Sequence, residues 1–124
     1  MNIVITSFEK EGYLLIKSAG TLQTNEDLFA HAGMVYEKSL KYRHKKILLE
    51  MTATSFPKTI FSYLELVKFY QDNLPIEILS FKIASVVLPE YRELGNFWET
   101  AAVNRGFQYY IFTSFEEAEA FLLQ

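Results

Sequence analysis

Residues 82–112, KIASVVLPEYRELGNFWETAAVNRGFQYYIF, decide the fold that the sequence predicts. They begin with a nearly continuous apolar run from Ile83 to Leu88, which is typical of a strand covered on both faces in a parallel sheet. Pro89 ends this strand because proline donates no hydrogen bond to a sheet ladder. The period then changes, and a helix is predicted by an apolar stripe at Leu94, Phe97, Trp98 and Ala101.

A second strand is expected directly after this helix. Asn104, Arg105 and Gly106 supply the helix stop, and Gly106 suits the left-handed position that follows a last helical turn. Phe107–Phe112 is then apolar again. A strand, a helix and a strand of these lengths predict a right-handed βαβ unit whose two strands are neighbours and run in the same direction.

The rest of the chain is placed around this unit by the same patterns. We expect, in order, a β-hairpin over residues 3–19, a helix over 24–42, a strand over 47–51, a loop over 51–57, a helix over 60–73 and a last helix after Ser114. Residues 75–80 carry no clear pattern. The predicted fold class is therefore α/β: residues 1–124 form a single domain with a mixed four- to five-stranded sheet, an N-terminal hairpin, βαβ units and helices packed on the sheet.

Composition excludes several classes of protein. Half of the 124 residues are hydrophobic and 22% are charged, as in a packed globular domain. The net charge of −3 argues against a nucleic-acid binder. The chain contains no cysteine, so disulfides and thiolate chemistry are absent. We see no signal-peptide pattern and no apolar run long enough for a membrane span, so a cytoplasmic protein is expected.

The motifs of common enzymes are missing from the sequence. There is no GxGxxG or GKS/GKT phosphate loop and no GxSxG nucleophile elbow. His31 and His44 lie far apart in the chain and form no ligand pair, so we predict neither a metal nor a cofactor. An enzyme is therefore the less favoured class.

The segment between the third strand and the following helix is the first candidate site. It carries four hydroxyl side chains that could accept a phosphate or contact a partner: Thr54, Ser55, Thr59 and Ser62. The alternative is that they only cap the helix and form the turn. Lys58 and Arg105 are candidate anion contacts, although the favoured interpretation of Arg105 is that it interacts with the end of its own helix.

Aromatic residues supply the second candidate site. The chain has 11 Phe, 8 Tyr and 1 Trp. Most are expected to fill the core, but some could line a cavity or a subunit interface. The residues predicted to line an apolar pocket are Phe56, Phe61, Trp98 and Tyr110.

The element order, together with FWETAAVNRGFQYYIFTSFEEAEAFL at residues 97–122, resembles the STAS-like, SpoIIAA-like family, which is related to anti-sigma-factor antagonists. The resemblance implies a mixed sheet covered by helices and a role in regulation through protein–protein contact. In such antagonists a kinase phosphorylates a serine in an Asp-Ser-Ser-Gly-like turn before the second helix. Here residues 56–61 occupy that turn, Lys58 stands near the expected aspartate, and Thr59 and Ser62 are the hydroxyls left as candidates.

Two hypotheses from different classes follow. The first is a non-enzymatic bacterial regulatory or interaction domain that binds an unidentified protein partner. The second is a small carrier that holds an apolar ligand or lipid in an aromatic-lined pocket, since the fold group is related in architecture to lipid-binding domains. A homodimer is a further prediction, because exposed rings on the first hairpin or the last helix would need cover.

Overall fold

The computed structural model of the protein describes residues 2–57 and 60–124, and the side chains of residues 60–62 lie outside this description. The strands are β1 (Asn2–Lys10), β2 (Tyr13–Thr21), β3 (Lys46–Ser55), β4 (Lys82–Val86) and β5 (Gln108–Phe112). The helices are α1 (Asn25–Tyr42), α2 (Ile60–Asn73), α3 (Arg92–Val103) and α4 (Phe115–Leu122). Short 3-10 helices span Ile76–Ser80 and Pro89–Tyr91.

The strands form one sheet in the order β1-β2-β3-β4-β5. β1 is antiparallel to β2, whereas the pairs β2–β3, β3–β4 and β4–β5 are all parallel. Ile83 of β4 lies opposite Ile47 of β3 on one side and Tyr109 of β5 on the other. The mixed sheet, the N-terminal hairpin and the same-direction pair across residues 82–112 are thus confirmed.

Helices cover the two faces of the sheet unequally. Residues from α1, α2 and α3 pack on one face in a core cluster that includes Val35, Val67 and Trp98. On the other face, α4 alone packs on the sheet through Ala118 and Leu122. Apolar side chains therefore alternate between two buried faces along each central strand, which explains the continuous apolar runs in the sequence.

The predicted helix starts are confirmed by their caps. The Thr24 side chain accepts a hydrogen bond from the Asp27 backbone N–H, and the Asp27 carboxylate accepts from the backbone of Thr24 in return. Ser114 accepts a hydrogen bond from the Glu117 backbone N–H at the start of α4. Gly106 has a φ of +91° after α3, a conformation that favours glycine.

The boundary of β3 differs from the expectation. The loop predicted over residues 51–57 is wrong for residues 51–55, because β3 continues to Ser55 beside β2. The register of the β2–β3 pairing shifts between Lys17 and Ala19, and the pairing continues beyond this shift to Ser55. The Leu22 backbone N–H then donates a hydrogen bond to the Ser55 carbonyl at 2.9 Å. Threonine and serine looked like turn residues in the sequence, but strand pairing over-rides that preference.

Candidate functional site

A cavity of about 70 Å³ lies between the sheet and helices α1, α2 and α3. Its walls are mainly aromatic, and they include Phe56, Tyr63, Tyr70, Tyr91, Trp98 and Tyr109. Strands β3, β4 and β5 form its floor. Phe56, Leu94 and Ile111 are half-buried members of this lining.

A buried serine–histidine pair stands beside this cavity. The Ser18 hydroxyl and the His31 Nε2 lie 2.9 Å apart, and the Thr54 hydroxyl donates to the Ser18 carbonyl at 2.8 Å. Burial lowers the pKa of His31 to about 4, so its ring is neutral at pH 7. Ser18 is only 2% exposed. The pair therefore satisfies buried polar groups on the β2–α1 seam.

Trp98 lines the cavity and carries a buried polar atom, the indole Nε1. Trp98 is 5% exposed, and its Nε1–H has no hydrogen-bond partner within the part of the chain that the structure describes. Its ring meets Tyr70 and Tyr109 edge to face, with centroid distances of 5.5 and 5.2 Å. A buried donor without a partner is rare in folded proteins and lowers the stability of the fold.

The tyrosines around Trp98 are held in their neutral form. Burial raises the pKa of Tyr70 and of Tyr63, and it raises the pKa of Tyr109 to about 12 despite a hydrogen bond with Ser85. None of the described residues that line the cavity is Asp, Glu, Lys or Arg. The cavity is therefore uncharged at neutral pH.

The sequence placed only part of this lining. Phe56 and Trp98 do line the cavity, whereas the side chain of Phe61 lies outside the described residues. Tyr110 is a wrong assignment: it packs on Phe121 of α4, with a centroid distance of 4.8 Å, on the opposite face of the sheet. Successive strand residues point to opposite faces, so its neighbour Tyr109 takes the cavity position.

Several lining residues were missed by the sequence reasoning: His31, Tyr63, Tyr70, Tyr91 and Tyr109. For the helical residues, the signal was the apolar stripe of α1 and α2, which predicts a buried face but not a cavity. For Tyr109, strand alternation combined with the burial of α3 could have pointed to the correct ring.

Two of the predicted hydroxyl residues, Thr54 and Ser55, lie at the carboxyl end of β3. Thr54 is only 2% exposed and its hydroxyl is hydrogen-bonded, so it is not an accessible phosphate acceptor. Ser55 is exposed at the last position of β3. Lys58 and Thr59 lie outside the described residues, as does the side chain of Ser62.

Arg105 is located at the other edge of the sheet. It follows α3 and precedes β5, whereas Ser55 ends the parallel strand β3. The Arg105 Nη1 donates to the Ala101 carbonyl at 2.9 Å. The structure thus favours the helix-end alternative for this arginine and does not bring it together with Ser55.

A second, wider depression of about 1040 Å³ lies on the α4 face, between the β1–β2 turn and the end of α4. It is open and its lining mixes polar and apolar side chains, and Tyr13 donates a hydrogen bond to Glu119 at 2.5 Å. Burial and then the neighbouring Glu119 carboxylate raise the pKa of Tyr13 to about 12. This surface lacks the enclosure of a small-molecule site.

Across residues 2–57 and 60–124, no helix is both long and apolar enough to cross a membrane. Within the same residues, no three His, Asp or Glu side chains are grouped in a way that could hold a metal ion.

Solved structures similar to this chain share its architecture over almost the full length. An anti-sigma factor antagonist from Mycobacterium paratuberculosis matches with a TM-score of 0.58 and 15% identity, covering 98% of this chain and 95% of the other. An uncharacterised protein of the DUF3478 family with a SpoIIAA-like fold, from Shewanella loihica, matches with a TM-score of 0.55 and 19% identity, covering 98% and 94%.

The protein therefore has a SpoIIAA-like α/β fold, and the STAS-like resemblance seen in the sequence is confirmed at the level of the fold. At these identities the likeness does not carry an activity across. No protein-family model matches the chain, and no curated protein matches its sequence.

Proposed function

We propose that this protein is a non-enzymatic bacterial regulatory domain that acts by binding another protein. The observation that carries the proposal is the full-length fold likeness to an anti-sigma factor antagonist, a protein whose name describes regulation through a partner. We place the contact surface at the end of β3 and the connection to α2, where parallel strands end and binding loops of α/β sheets usually lie.

The contacts of Phe56 and Pro57 support that placement, because they hold the residues that directly follow β3 while the Ser55 side chain stays exposed. The Phe56 ring packs edge to face on Tyr91 with a centroid distance of 5.2 Å, and the Tyr63 hydroxyl donates to the Pro57 carbonyl at 2.7 Å. The Ser55 side chain is exposed beside them. A pre-ordered surface loses little conformational entropy on binding, which favours recognition by a folded partner.

Phosphorylation is the regulatory step that we propose for this surface. Ser55, Thr59 and Ser62 are the candidate acceptors, and a phosphate would add a charge of about −1.5 to −2. Added beside the exposed end of β3, this charge would change the partner contact directly. Phosphopeptide mapping of protein from its native cell tests the step, and an unmodified 52–62 segment under all growth conditions argues against it.

The geometry of the Ser18–His31 pair supports binding over catalysis. A serine nucleophile needs access to substrate and a base that is oriented by a third group. Ser18 is buried, and among the described residues the His31 ring is hydrogen-bonded only to Ser18. Turnover of a substrate that is lost when either residue is replaced would overturn the non-enzymatic proposal.

Site-specific crosslinking tests the protein-binding proposal directly. A photo-crosslinking amino acid at position 55 should capture one reproducible partner in the native cell, whereas the same amino acid at position 80 should not. Ser80 is the matched control because it is an exposed serine that precedes β4, at the opposite edge of the sheet.

Binding measurements with the captured partner complete the test. We expect Ser55→Arg to weaken binding at least about tenfold, since a central contact is worth about 1–2 kcal/mol or more. Ser80→Arg should leave the affinity unchanged. Equal effects of the two substitutions would place the contact surface elsewhere on the molecule.

Homodimerisation and a cytoplasmic location stay predictions. β1 is an edge strand, and it exposes Val4 and Phe8, which are 65% and 45% exposed. An edge strand with exposed apolar residues favours pairing with a second copy. Sedimentation at high concentration measures the dimer, and a strict monomer would remove it.

A further inference from the structure

The two edges of the sheet differ in how they are protected. At β5, the Glu99 carboxylate accepts a hydrogen bond from the Ile111 backbone N–H at 2.7 Å, so a side chain already occupies a donor at that edge. β1, the other edge strand, is nine residues long and carries neither proline nor a charged residue between Asn2 and Phe8. Because charges, proline and short length are the usual protections of an edge strand, β1 is suited to pairing with another strand.

The side chains of β1 on the α4 face are also uncovered. Phe8 pairs with Leu15, which belongs to the cluster on that face, so Val4, Thr6 and Phe8 share this face by strand alternation. α4 packs on β3, β4 and β5. Val4 and Phe8 are therefore left 65% and 45% exposed. The edge presents apolar side chains together with its free backbone groups.

The hairpin determines which backbone groups of β1 point outward. Lys10 and Tyr13 close a two-residue turn, and the pair that closes such a turn exchanges backbone hydrogen bonds. In agreement, a Cβ built on Gly20 would collide with the Asn2 carbonyl oxygen, which therefore points towards β2. Since bonded and non-bonded pairs alternate, the even-numbered residues of β1 bond to β2, and the N–H and C=O groups of the odd-numbered residues within 3–9 point to the free edge.

We propose that β1 pairs antiparallel with β1 of a second copy of this chain, with Thr6 on the two-fold axis. Val4 then lies opposite Phe8 of the partner subunit, and the two sheets join as one. This inference rests on the homodimer predicted above, and it adds the interface and the register.

The register follows from symmetry and from the backbone pattern. An odd-numbered residue must face an odd-numbered one, so the axis passes through a residue of β1 and not between two residues. With the axis at position 5 or 7, Val4 and Phe8 face polar residues. With the axis at Thr6, they face each other, the whole of Asn2–Lys10 takes part, and no like charges are directly opposite.

This pairing would satisfy the free edge and cover its apolar side chains. Four pairs of odd-numbered residues, each exchanging two backbone hydrogen bonds, give about eight such bonds in the interface. Val4 and Phe8 of the partner subunit would form a non-hydrogen-bonded pair, in which opposite side chains are closest. A β-branched residue opposite an aromatic one is a favourable cross-strand pair. The match of β1 with itself points to a second copy rather than to an unrelated strand.

Single cysteines test the interface, because the chain contains no cysteine of its own. Opposite residues of a non-hydrogen-bonded pair have Cα atoms about 4.5 Å apart, which is within the range of a disulfide. Thr6→Cys, at an exposed position, should form a disulfide-linked dimer under mild oxidation. Ser80→Cys, exposed outside β1, should form at least about tenfold less, and equal yields would overturn the proposal.

A mixture of two variants tests the register. Val4→Cys and Phe8→Cys should crosslink to each other when mixed, and mass spectrometry of one labelled variant identifies the mixed product. Each variant alone should crosslink far less, because its two copies lie four residues apart along the strands, about 13 Å. Faster crosslinking of Ile5→Cys or Ser7→Cys than of Thr6→Cys would overturn the register.

Sedimentation measures the contribution of the interface to dimerisation. Val4→Lys buries a charge against Phe8 of the partner subunit and should raise the dimer Kd at least about tenfold. Ile76→Lys, at a 79% exposed position outside β1, should leave the Kd unchanged. A wild-type monomer at high concentration would overturn the homodimer itself, whereas a dimer that is insensitive to Val4→Lys would overturn only the β1 interface. Partner capture at position 55 is measured separately, so the protein-binding proposal stands or falls independently.

Discussion

The two faces of the sheet differ in how completely they are packed. On the α4 face, Leu48, Ala84, Ala118 and Leu122 form a small cluster in which each residue is 0% exposed. The face under α1, α2 and α3 has the larger core, but it also contains the cavity, the Ser18–His31 pair and the unpartnered Trp98 N–H.

This difference in packing predicts that substitutions on the two faces change the stability by different amounts. Dense packing gives the largest stabilisation per residue, whereas a cavity and unsatisfied polar groups reduce stability and leave room for a ligand. The short α4 therefore covers the more tightly packed face, and the three longer helices cover the face that contains the cavity. Each prediction below compares one substitution on these surfaces with a matched control.

The largest expected effect concerns the leucines of the two faces. Leu122→Ala should lower the free energy of unfolding by about 4 kcal/mol, because it opens a void in a fully packed cluster. Leu28→Ala, beside the existing cavity, should cost only about 2 kcal/mol since fewer contacts are lost there. Urea titrations of both variants measure the difference, and a larger cost at Leu28 would contradict the contrast between the faces.

The second effect is a loss of stability in acid that arises from His31. The pKa of His31 is about 4 in the folded protein and about 6.5 in the unfolded chain. The contribution of the buried neutral ring to the free energy of unfolding is therefore fully present above pH 6.5. As the pH falls towards 4, the unfolded chain binds a proton that the folded chain excludes. The free energy of unfolding should fall by about 3 kcal/mol across this window.

His31→Gln provides the control for this acid limb, because glutamine can hydrogen-bond to Ser18 and does not titrate. Urea titrations between pH 4 and pH 7 should give a shallower pH dependence for the variant. If both proteins lose stability equally as the pH falls, other groups cause the loss in acid. Burial would then not hold the pKa of His31 below its unfolded value.

The third effect compares two glycines in helices of the cavity face. A Cβ at Gly95 of α3 would lie 2.7 Å from the Cγ2 of Ile111, a stiff β-branched side chain, whereas a Cβ at Gly33 of α1 meets nothing within 4 Å. Gly33→Ala should stabilise by about 1 kcal/mol and Gly95→Ala should destabilise by about 1 kcal/mol. Thermal unfolding distinguishes them, and stabilisation by both would show that α3 can move away from β5.

The smallest effect concerns the attachment of α4. The Lys82 Nζ donates to the Phe121 carbonyl at 3.0 Å and lies 4.2 Å from the centre of the Phe121 ring. Lys82→Met keeps the apolar stem but removes the charge, and it should cost about 1 kcal/mol. Lys68→Met, at an exposed position of α2, is the control and should not change the free energy of unfolding measured by urea titration. Equal effects of the two substitutions would contradict the role of Lys82.

Much of the fold could be predicted because local patterns and tertiary structure agree. The apolar run at Ile83, the stripe through Trp98 and the caps at Thr24 and Ser114 all appear in the structure as elements of the predicted type. The candidate site was predicted less well. The register that continues β3 to Ser55 and buries Thr54 depends on pairing with β2, which no local signal encodes.

Local sequence patterns were enough to predict the order and type of the elements, because hydrophobic period, proline, glycine and capping residues act over a few neighbouring positions. The packing of the elements against one another was needed to see that Tyr109 rather than Tyr110 lines the cavity and that His31 is buried against Ser18. It was also needed to see that the Trp98 N–H has no partner among the described residues. These features arise where separate elements pack together, and their geometry depends on contacts between residues that are distant in the chain.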